Sequence, residues 1–146
     1  KKFIKEYGKI CEKKVLECNE IKGVFNSIKK LSKKYHLYVN SLTPIKSLRK
    51  IIKKRGLYKY FKGIFGAGRS KSENLRKIIH IEKISYSQLL FIGDNYQDFK
   101  ISEDYNVNFI GIANKNGGLK RKNLKYILKD CSGLCRNIES INSQLK

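Results

Sequence analysis

Residues Leu89–Ile112, LLFIGDNYQDFKISEDYNVNFIGI, contain the clearest indication of the fold in this chain. Its first four residues are apolar and are followed by Gly93-Asp94, a pattern that predicts a fully buried strand ending in a tight turn. Residues 95–105 have the spacing of a helix, and a second apolar run at 107–112 predicts another strand. Strand, helix and strand in this order predict two parallel strands joined by a crossover helix.

The chain before and after this stretch continues the alternation of helices and strands. Upstream we expect, in order, helices over 3–21 and 24–34, a strand at 35–40, a helix from Pro44 to Arg55, a short strand at 64–65 and a helix that begins near Ser70 or Ser72. Downstream, two short helices near 119–128 and 134–144 complete the chain. This order predicts an α/β fold, a Rossmann-like three-layer parallel sheet with helices on both faces.

Composition places further limits on the class of protein. The 146 residues are 40% apolar, which is enough for one domain with a hydrophobic core and too much for a disordered chain. No run of about eighteen apolar residues is present, so we expect no membrane span. The first residues do not have the pattern of a signal peptide either. The expected location is the cytoplasm, with no membrane partner.

The charge balance is strongly positive, with 33 Lys and Arg against 12 Asp and Glu and a formal net charge of +21. Such a charge attracts polyanions in general. However, 27 of the cations are Lys and only six are Arg, the residue best suited to bidentate contacts with phosphate and guanine. Abundant Lys, Ile, Asn and Tyr are also typical of an A/T-rich genome, and the cations are spread along the whole chain. A nucleic-acid partner is therefore possible but not favoured.

Polar residues follow three of the predicted strands. Ser41 ends the strand at 35–40, Lys71 follows the loop after the strand at 64–65, and Asp94 and Asp98 follow the central apolar run. Taken singly, Ser41 suits a turn, Lys71 is one Lys among many, and Asp94 suits a helix cap. Ligands of open α/β sheets bind beyond the carboxyl ends of the strands, so the joint placement of these residues favours one site.

Three segments together resemble the motifs of the haloacid dehalogenase-like hydrolase superfamily. The stretch 89–112 is similar to the fourth motif, in which an apolar strand is followed by Gly-Asp, three residues and a further Asp. LYVNSLTP at 37–44 is similar to the second motif, and FKGIFGAGRSKSENLRKI at 61–78 to the third. The resemblance covers roughly residues 23–112. It implies a Mg²⁺-dependent hydrolase that acts on phosphate esters of small metabolites.

The resemblance also implies a role for each of the polar residues. The Ser41 hydroxyl and neighbouring backbone N–H groups would hold phosphate oxygens, and Lys71 would neutralise the phosphate and the nucleophile. Asp94 would bind Mg²⁺, whose preferred ligands are carboxylate and phosphate oxygens. Asp98 would support Asp94 or orient Lys71.

One family motif is absent from this chain. Family members use a nucleophilic aspartate and an acid–base aspartate in an Asp-x-Asp on the first strand. The only aspartates here are Asp94, Asp98, Asp104 and Asp130, and none precedes Ser41. In the family, that first strand lies between the strands predicted here at 35–40 and 89–92.

We therefore expect this chain to be the C-terminal part of such a hydrolase and to be inactive alone. Residues 1–22 would be the remnant of a helical cap, and residues 23–146 an incomplete core. One alternative is a degenerate member of the superfamily that binds phosphorylated ligands or nucleic acid through its basic surface. A receiver-like or other Rossmann-like domain is a third interpretation. The sequence gives no indication of substrate identity or oligomeric state.

Overall fold

Helices and strands alternate along the chain in the computed structural model, which describes residues 2–114, 116–119 and 124–144. The helices are α1 (Lys2–Glu17), α2 (Val24–Leu31), α3 (Ile45–Lys54), α4 (Lys71–Glu82), α5 (Tyr96–Asp104) and α6 (Leu134–Gln144). The strands are β1 (Tyr38–Pro44), β2 (Gly63–Ala67), β3 (Leu90–Gly93), β4 (Asn108–Ile112) and β5 (Ile127–Leu128). Within these described ranges, none of the helices combines the length and the apolar composition needed to cross a bilayer.

The described strands form two sheets rather than one. β1 pairs with β2 in parallel, and β3, β4 and β5 form a second parallel sheet in that order. β1 and β3 are not paired with each other, so each has one edge that no described strand covers. Such an edge presents backbone N–H and C=O groups that lack strand partners. The sequence predicts that a central strand, missing from this chain, lies between these two strands.

The prediction of a fully buried strand at 89–92 is wrong. Leu90 and Phe91 are only partly buried, and Ile92 is 37% exposed. A parallel strand is buried on both faces when it lies inside a sheet that is covered by helices. Because β3 is an edge strand in this structure, its side chains remain in contact with water.

Helices cover both faces of β4. On one face, Ile110 and Ile112 pack in a buried cluster with α2 and α6 side chains, namely Leu31, Leu134, Ile138 and Ile141. On the other face, the Phe109 ring packs against Phe99 of α5, with ring centres 5.7 Å apart. Ile110 is fully buried, and burying a side chain of this size stabilises a fold by about 2 kcal/mol. The predicted α/β fold, a parallel sheet between layers of helices, is confirmed.

The first strand is shifted along the sequence relative to its prediction. The apolar pattern predicts residues 35–40, whereas β1 begins at Tyr38 and continues through the expected turn to Pro44. Its pairing with β2 starts at Tyr38 opposite Gly63 and becomes irregular between Asn40 and Pro44. The extent of a strand depends on its partner, and the partner cannot be seen in the local pattern.

The prediction of a helix near 119–128 is wrong at its C-terminal end. Ile127–Leu128 forms β5, which pairs in parallel with Gly111–Ile112. The pairing satisfies β4 and its continuation, because the Ala113 N–H donates to the Leu128 carbonyl at 2.7 Å. A strand of two residues is too short to show the alternation of apolar and polar residues by which strands are recognised in sequence. Residues 120–123 of the predicted helix lie outside the described residues.

Charged contacts attach α1 to α3. Lys50 of α3 forms an ion pair with Glu12 of α1 at 2.5 Å. The Arg55 guanidinium, just after α3, donates to the backbone carbonyls of Val15 and Cys18 at 2.6 and 2.7 Å. The last carbonyls of a helix lack partners within the helix, so Arg55 caps the C-terminal end of α1.

A cluster of polar side chains holds the amino ends of β1 and β2 to the end of α4. The Glu82 carboxylate accepts hydrogen bonds from the Tyr38 hydroxyl and from Lys62 Nζ, the latter at 3.0 Å, and lies 2.9 Å from His36 Nδ1. The Tyr38 bond, followed by those of His36 and Lys62, lowers the pKa of Glu82 from 4.5 to about 2. Burial, together with Glu82, raises the pKa of Tyr38.

We predict that Glu82→Gln lowers the free energy of unfolding by about 1–2 kcal/mol at pH 7, because it removes the charge to which the Tyr38 hydroxyl and Lys62 donate hydrogen bonds. A lowered pKa in the folded state contributes stability above about pH 4.5 and loses it as the pH falls towards 2. The difference between wild type and variant should therefore shrink over this range. Urea unfolding at several pH values measures it.

Glu139→Gln is the matched control for this experiment. Glu139 forms an ion pair with Lys34 at 3.5 Å, and both side chains are more than 60% exposed. Exposed pairs of this kind contribute about 0.5 kcal/mol or less. Equal decreases in the free energy of unfolding for the two variants would contradict a stabilising role of the Glu82 charge. So would a decrease for Glu82→Gln that does not change with pH.

Candidate functional site

The four predicted site residues lie at or just beyond the carboxyl ends of three strands. Ser41 lies in the irregular segment of β1 after Asn40, where the regular pairing with β2 ends, Lys71 begins α4 after β2, and Asp94 directly follows β3. Asp98 is in the first turn of α5. This edge of a parallel sheet is where open α/β folds bind their ligands.

Lys71 and Asp98 form a buried ion pair. Lys71 Nζ lies 2.6 Å from Asp98 Oδ1, and the two side chains are 18% and 3% exposed. Burial lowers the local dielectric and strengthens a charge-assisted hydrogen bond of this kind. The structure therefore brings these two predicted residues together.

Helix caps fix the positions of both partners. Ser70 and Glu73 form a capping box at the start of α4: Ser70 Oγ accepts from the Glu73 N–H, and the Glu73 carboxylate accepts from the Ser70 N–H. Asn95 caps α5, since its Oδ1 accepts from the Asp98 N–H at 3.0 Å. Lys71 and Asp98 thus project from first turns whose starting points are set by local sequence.

Gly93 leaves room for the Asp98 side chain to pass over the end of β3. A Cβ atom at Gly93 would lie 2.4 Å from the Asp98 Cβ and 2.8 Å from its carboxylate. No side chain can occupy that space without moving α5. The glycine of the Gly-Asp pair is therefore explained by this close approach to Asp98.

Two asparagines connect Lys71 to β1, and the sequence analysis missed both. The Asn40 side-chain amide donates to the Lys71 carbonyl at 2.8 Å, and the Asn74 amide donates to Asn40 Oδ1 at 3.0 Å. Asn74 is 1% exposed. Buried amides are costly unless they are hydrogen-bonded, and this chain of bonds satisfies them while fixing the start of α4 against the end of β1.

Asp94 is held by the loop that follows β4. Its Oδ2 accepts from the Asn114 side-chain amide at 2.8 Å, and its Oδ1 accepts from Asn95 at 3.3 Å. A Cβ atom at Gly117 would lie 1.8 Å from the Asp94 carbonyl oxygen, so the two loops touch through backbone. Asn114 is a further site residue that the sequence analysis missed, because it belongs to a polar turn with no motif of its own.

Ser41 makes its hydrogen bonds within its own loop. Its Oγ accepts from the Thr43 N–H and donates to Thr43 Oγ1, both at 3.1 Å. No hydrogen bond joins Ser41 to Lys71, Asp94 or Asp98 in the part of the chain that the structure describes. The structure thus places Ser41 and Asp94 at the same edge as the ion pair, on separate loops.

The described residues do not form a complete magnesium site by themselves. No group of three His, Cys, Asp or Glu side chains comes together among them. Asp98 is paired with Lys71, whereas Asp94 has no cation at ion-pair distance among the described residues. Mg²⁺ requires six oxygen ligands, commonly one or two carboxylates with waters and substrate phosphate. Asp94 can supply one of these ligands.

Solved structures of the same fold include three that the chain matches over most of its length. A haloacid dehalogenase-like family protein from Streptococcus pneumoniae is 16% identical, with a TM-score of 0.73 over 85% of this chain and 62% of its own. A protein from Clostridium acetobutylicum described as a predicted phosphatase is 22% identical, with a TM-score of 0.71 over 82% and 59%. A Bacillus subtilis protein described as a HAD-hydrolase bound to magnesium is 20% identical, with a TM-score of 0.70 over 81% and 55%. The chain spans about three fifths of the length of these structures.

No curated protein matches the sequence. The sequence model of the haloacid dehalogenase-like hydrolases matches residues 1–112, about three quarters of the chain. The predicted membership in this superfamily is thereby confirmed. The chain belongs to the haloacid dehalogenase-like hydrolase family.

Proposed function

We propose that this chain is the C-terminal part of a Mg²⁺-dependent hydrolase of small phosphorylated metabolites and that it is inactive alone. The buried Lys71–Asp98 ion pair carries the proposal, because it fixes an ammonium group at the ligand-binding edge of the sheet. A phosphoryl group in transfer spreads negative charge over its oxygens, and fixed cations and N–H donors stabilise that charge. Lys71 is the cation, and Asp98 orients it.

Ser41 is the proposed hydroxyl donor to the phosphate. Its loop interrupts the regular pairing of β1 with β2 between Asn40 and Pro44. Backbone N–H groups released from a ladder in this way are available to an anion. The hydrogen bonds with Thr43 hold the hydroxyl in place before a ligand arrives.

The segment that would complete the sheet is a strand that ends in Asp-x-Asp and inserts between β1 and β3. Each of these strands has one edge that no described strand covers, and one inserted parallel strand would satisfy both edges. Its aspartates would supply the nucleophile and further carboxylates beside Asp94, which together suit Mg²⁺. The share of the solved relatives that this chain spans agrees with a missing segment.

A degenerate family member that only binds phosphorylated ligands is the second candidate. The observation that favours it is the absence of any Asp-x-Asp among the four aspartates. The substrate stays open in either case, because in this family the cap selects the substrate and most of it would lie upstream.

The hydrolase proposal predicts that the coding sequence within about one hundred codons upstream of Lys1 encodes an apolar strand ending in Asp-x-Asp, a span set by a strand and a small cap. The protein that includes it should hydrolyse p-nitrophenyl phosphate with Mg²⁺ and not with EDTA, whereas the present chain should not. An upstream strand without both aspartates would refute the proposal and favour the binding protein.

Lys71→Ala in the completed protein should lower kcat by about 10²- to 10³-fold, the range for loss of one fixed donor to transition-state charge. Lys77→Ala is the matched control on the same helix, since Lys77 lies over the Phe65 ring at 5.7 Å and away from the ion pair. It should keep kcat within about twofold. A similar loss in both variants would indicate damage to α4 rather than loss of a phosphate ligand.

Asp98→Asn should destabilise the present chain by about 2–3 kcal/mol, because it leaves the largely buried Lys71 ammonium without its carboxylate. Asp104→Asn on the same helix is the control. Asp104 pairs with Lys100 at 2.8 Å, but both side chains are about half exposed, so the expected loss is at most about 0.5 kcal/mol. Urea unfolding measures both, and equal losses would show that the buried pair does not hold the two helices together.

A further inference from the structure

Acidic residues are distributed unevenly along this basic chain. Residues 21–72 contain 15 Lys and Arg and no Asp or Glu, whereas the other 94 residues contain 18 Lys and Arg and 12 Asp and Glu. A/T-rich codon usage raises Lys everywhere, and Asp and Glu also have A/T-rich codons. Codon usage therefore does not account for the loss of every acid from one third of the chain.

Three of these cations form a row on the exposed side of α3. Lys46, Arg49 and Lys53 are exposed and lie at positions i, i+3 and i+7, which share one helix face. With a rise of 1.5 Å per residue, the row is about 10 Å long. Among the described residues, no carboxylate lies within ion-pair distance of any of the three, in contrast to Lys50, which is paired with Glu12.

An exposed aromatic ring stands at the end of this row. The Tyr58 side chain is 44% exposed, and Lys53 Nζ lies 5.1 Å from the centre of its ring. Gly56, with a φ of 69°, ends α3 and turns the chain back so that Tyr58 lies beside the last turn of the helix. Proteins bind single-stranded nucleic acid without sequence preference through positive charge that follows the phosphates and aromatic rings that stack on the bases, and the α3 face offers both features.

We propose that this α3 face, defined as Lys46, Arg49, Lys53 and Tyr58, binds single-stranded nucleic acid. The three cations contact successive phosphates, and the Tyr58 ring stacks on one base. The inference goes beyond the proposed hydrolase and needs no hydrolytic activity. Nucleic acid is favoured here, unlike in the expectation from overall composition, because residues 21–72 contain no acid and the Tyr58 ring is exposed.

An anionic membrane is the less suitable partner for this face. A helix that lies in a membrane interface turns an apolar side towards the lipid. The apolar side of α3 is already used, since Leu48 and Ile52 are buried. Duplex DNA would meet the cations but offers no unpaired base to Tyr58. A single strand offers phosphates to the three cations and unpaired bases to the Tyr58 ring.

The test uses the present chain and a fluorescently labelled dT₁₂ oligonucleotide, with fluorescence anisotropy measured between 50 and 200 mM salt. The triple variant Lys46→Gln, Arg49→Gln, Lys53→Gln should reduce the slope of log K against log salt by about 2, since each phosphate contact on a single strand contributes about 0.7. Tyr58→Ala should weaken binding by about 5- to 150-fold without changing the slope, and Tyr58→Phe should bind as the wild type does.

The matched control removes the same number of charges elsewhere, with Lys83→Gln, Lys129→Gln and Arg136→Gln, all exposed and outside residues 21–72. It should leave the salt slope nearly unchanged. Equal slopes in the two triple variants would overturn the proposal in favour of general attraction by the net charge. So would the absence of binding at 50 mM salt, tighter binding of a matched duplex, or α3-dependent binding of phosphatidylserine vesicles in place of the oligonucleotide. Far-UV circular dichroism checks that each variant is folded.

Discussion

The ion pair between Lys71 and Asp98 joins two halves of the molecule that share no strand pairing among the described residues. Lys71 begins α4, which follows the sheet of β1 and β2, and Asp98 lies in α5, which follows the first strand of the other sheet. The contact is 2.6 Å long and nearly closed to solvent. A buried pair of this kind adds little net stability by itself, but removal of one partner is expensive. It therefore fixes the relative position of the two helices, and with it the geometry of the ligand-binding edge.

This ion pair matters because no strand pairing connects β1 with β3 among the described residues. Within a continuous parallel sheet, backbone hydrogen bonds would hold neighbouring loops in register, and side-chain contacts would only refine their positions. Here the loops after β2 and β3 are held by side chains, with Asn40 and Asn74 on one side and Asn114 on the other. Polar networks tolerate the loss of a partner poorly. In the completed sheet proposed above, an inserted strand would share this function, and the same contacts would then position the site residues.

Most of the secondary structure and the position of the candidate site can be predicted from sequence. The features that cannot be predicted are those that depend on contacts between distant parts of the chain. Alternating patterns locate most of the helices and strands, and the Gly93-Asp94 turn locates the site edge, because these features depend on neighbouring residues only. The open edge of β3, the two-residue β5 and the shift of β1 depend on distant partners. The three asparagines were missed for the same reason. Asparagine is common in this chain, and its importance here follows from which loops meet. The assignment of residues 1–22 to a cap and of roles to Ser41, Lys71, Asp94 and Asp98 stays a prediction.

The positively charged groups discussed here differ in their exposure to solvent. Lys71 is largely buried and paired with Asp98, so salt screens it less than the α3 face, which is exposed and depends strongly on ionic strength. Both lie within residues 21–72, a segment that contains no Asp or Glu of its own, although Asp98 partly neutralises Lys71 from α5. Lys46 is only five residues beyond Ser41, so the exposed row starts near the loop proposed to hold phosphate. The potential of the row would therefore steer any phosphorylated ligand towards that edge, and a phosphate at the end of a bound strand would enter the same field.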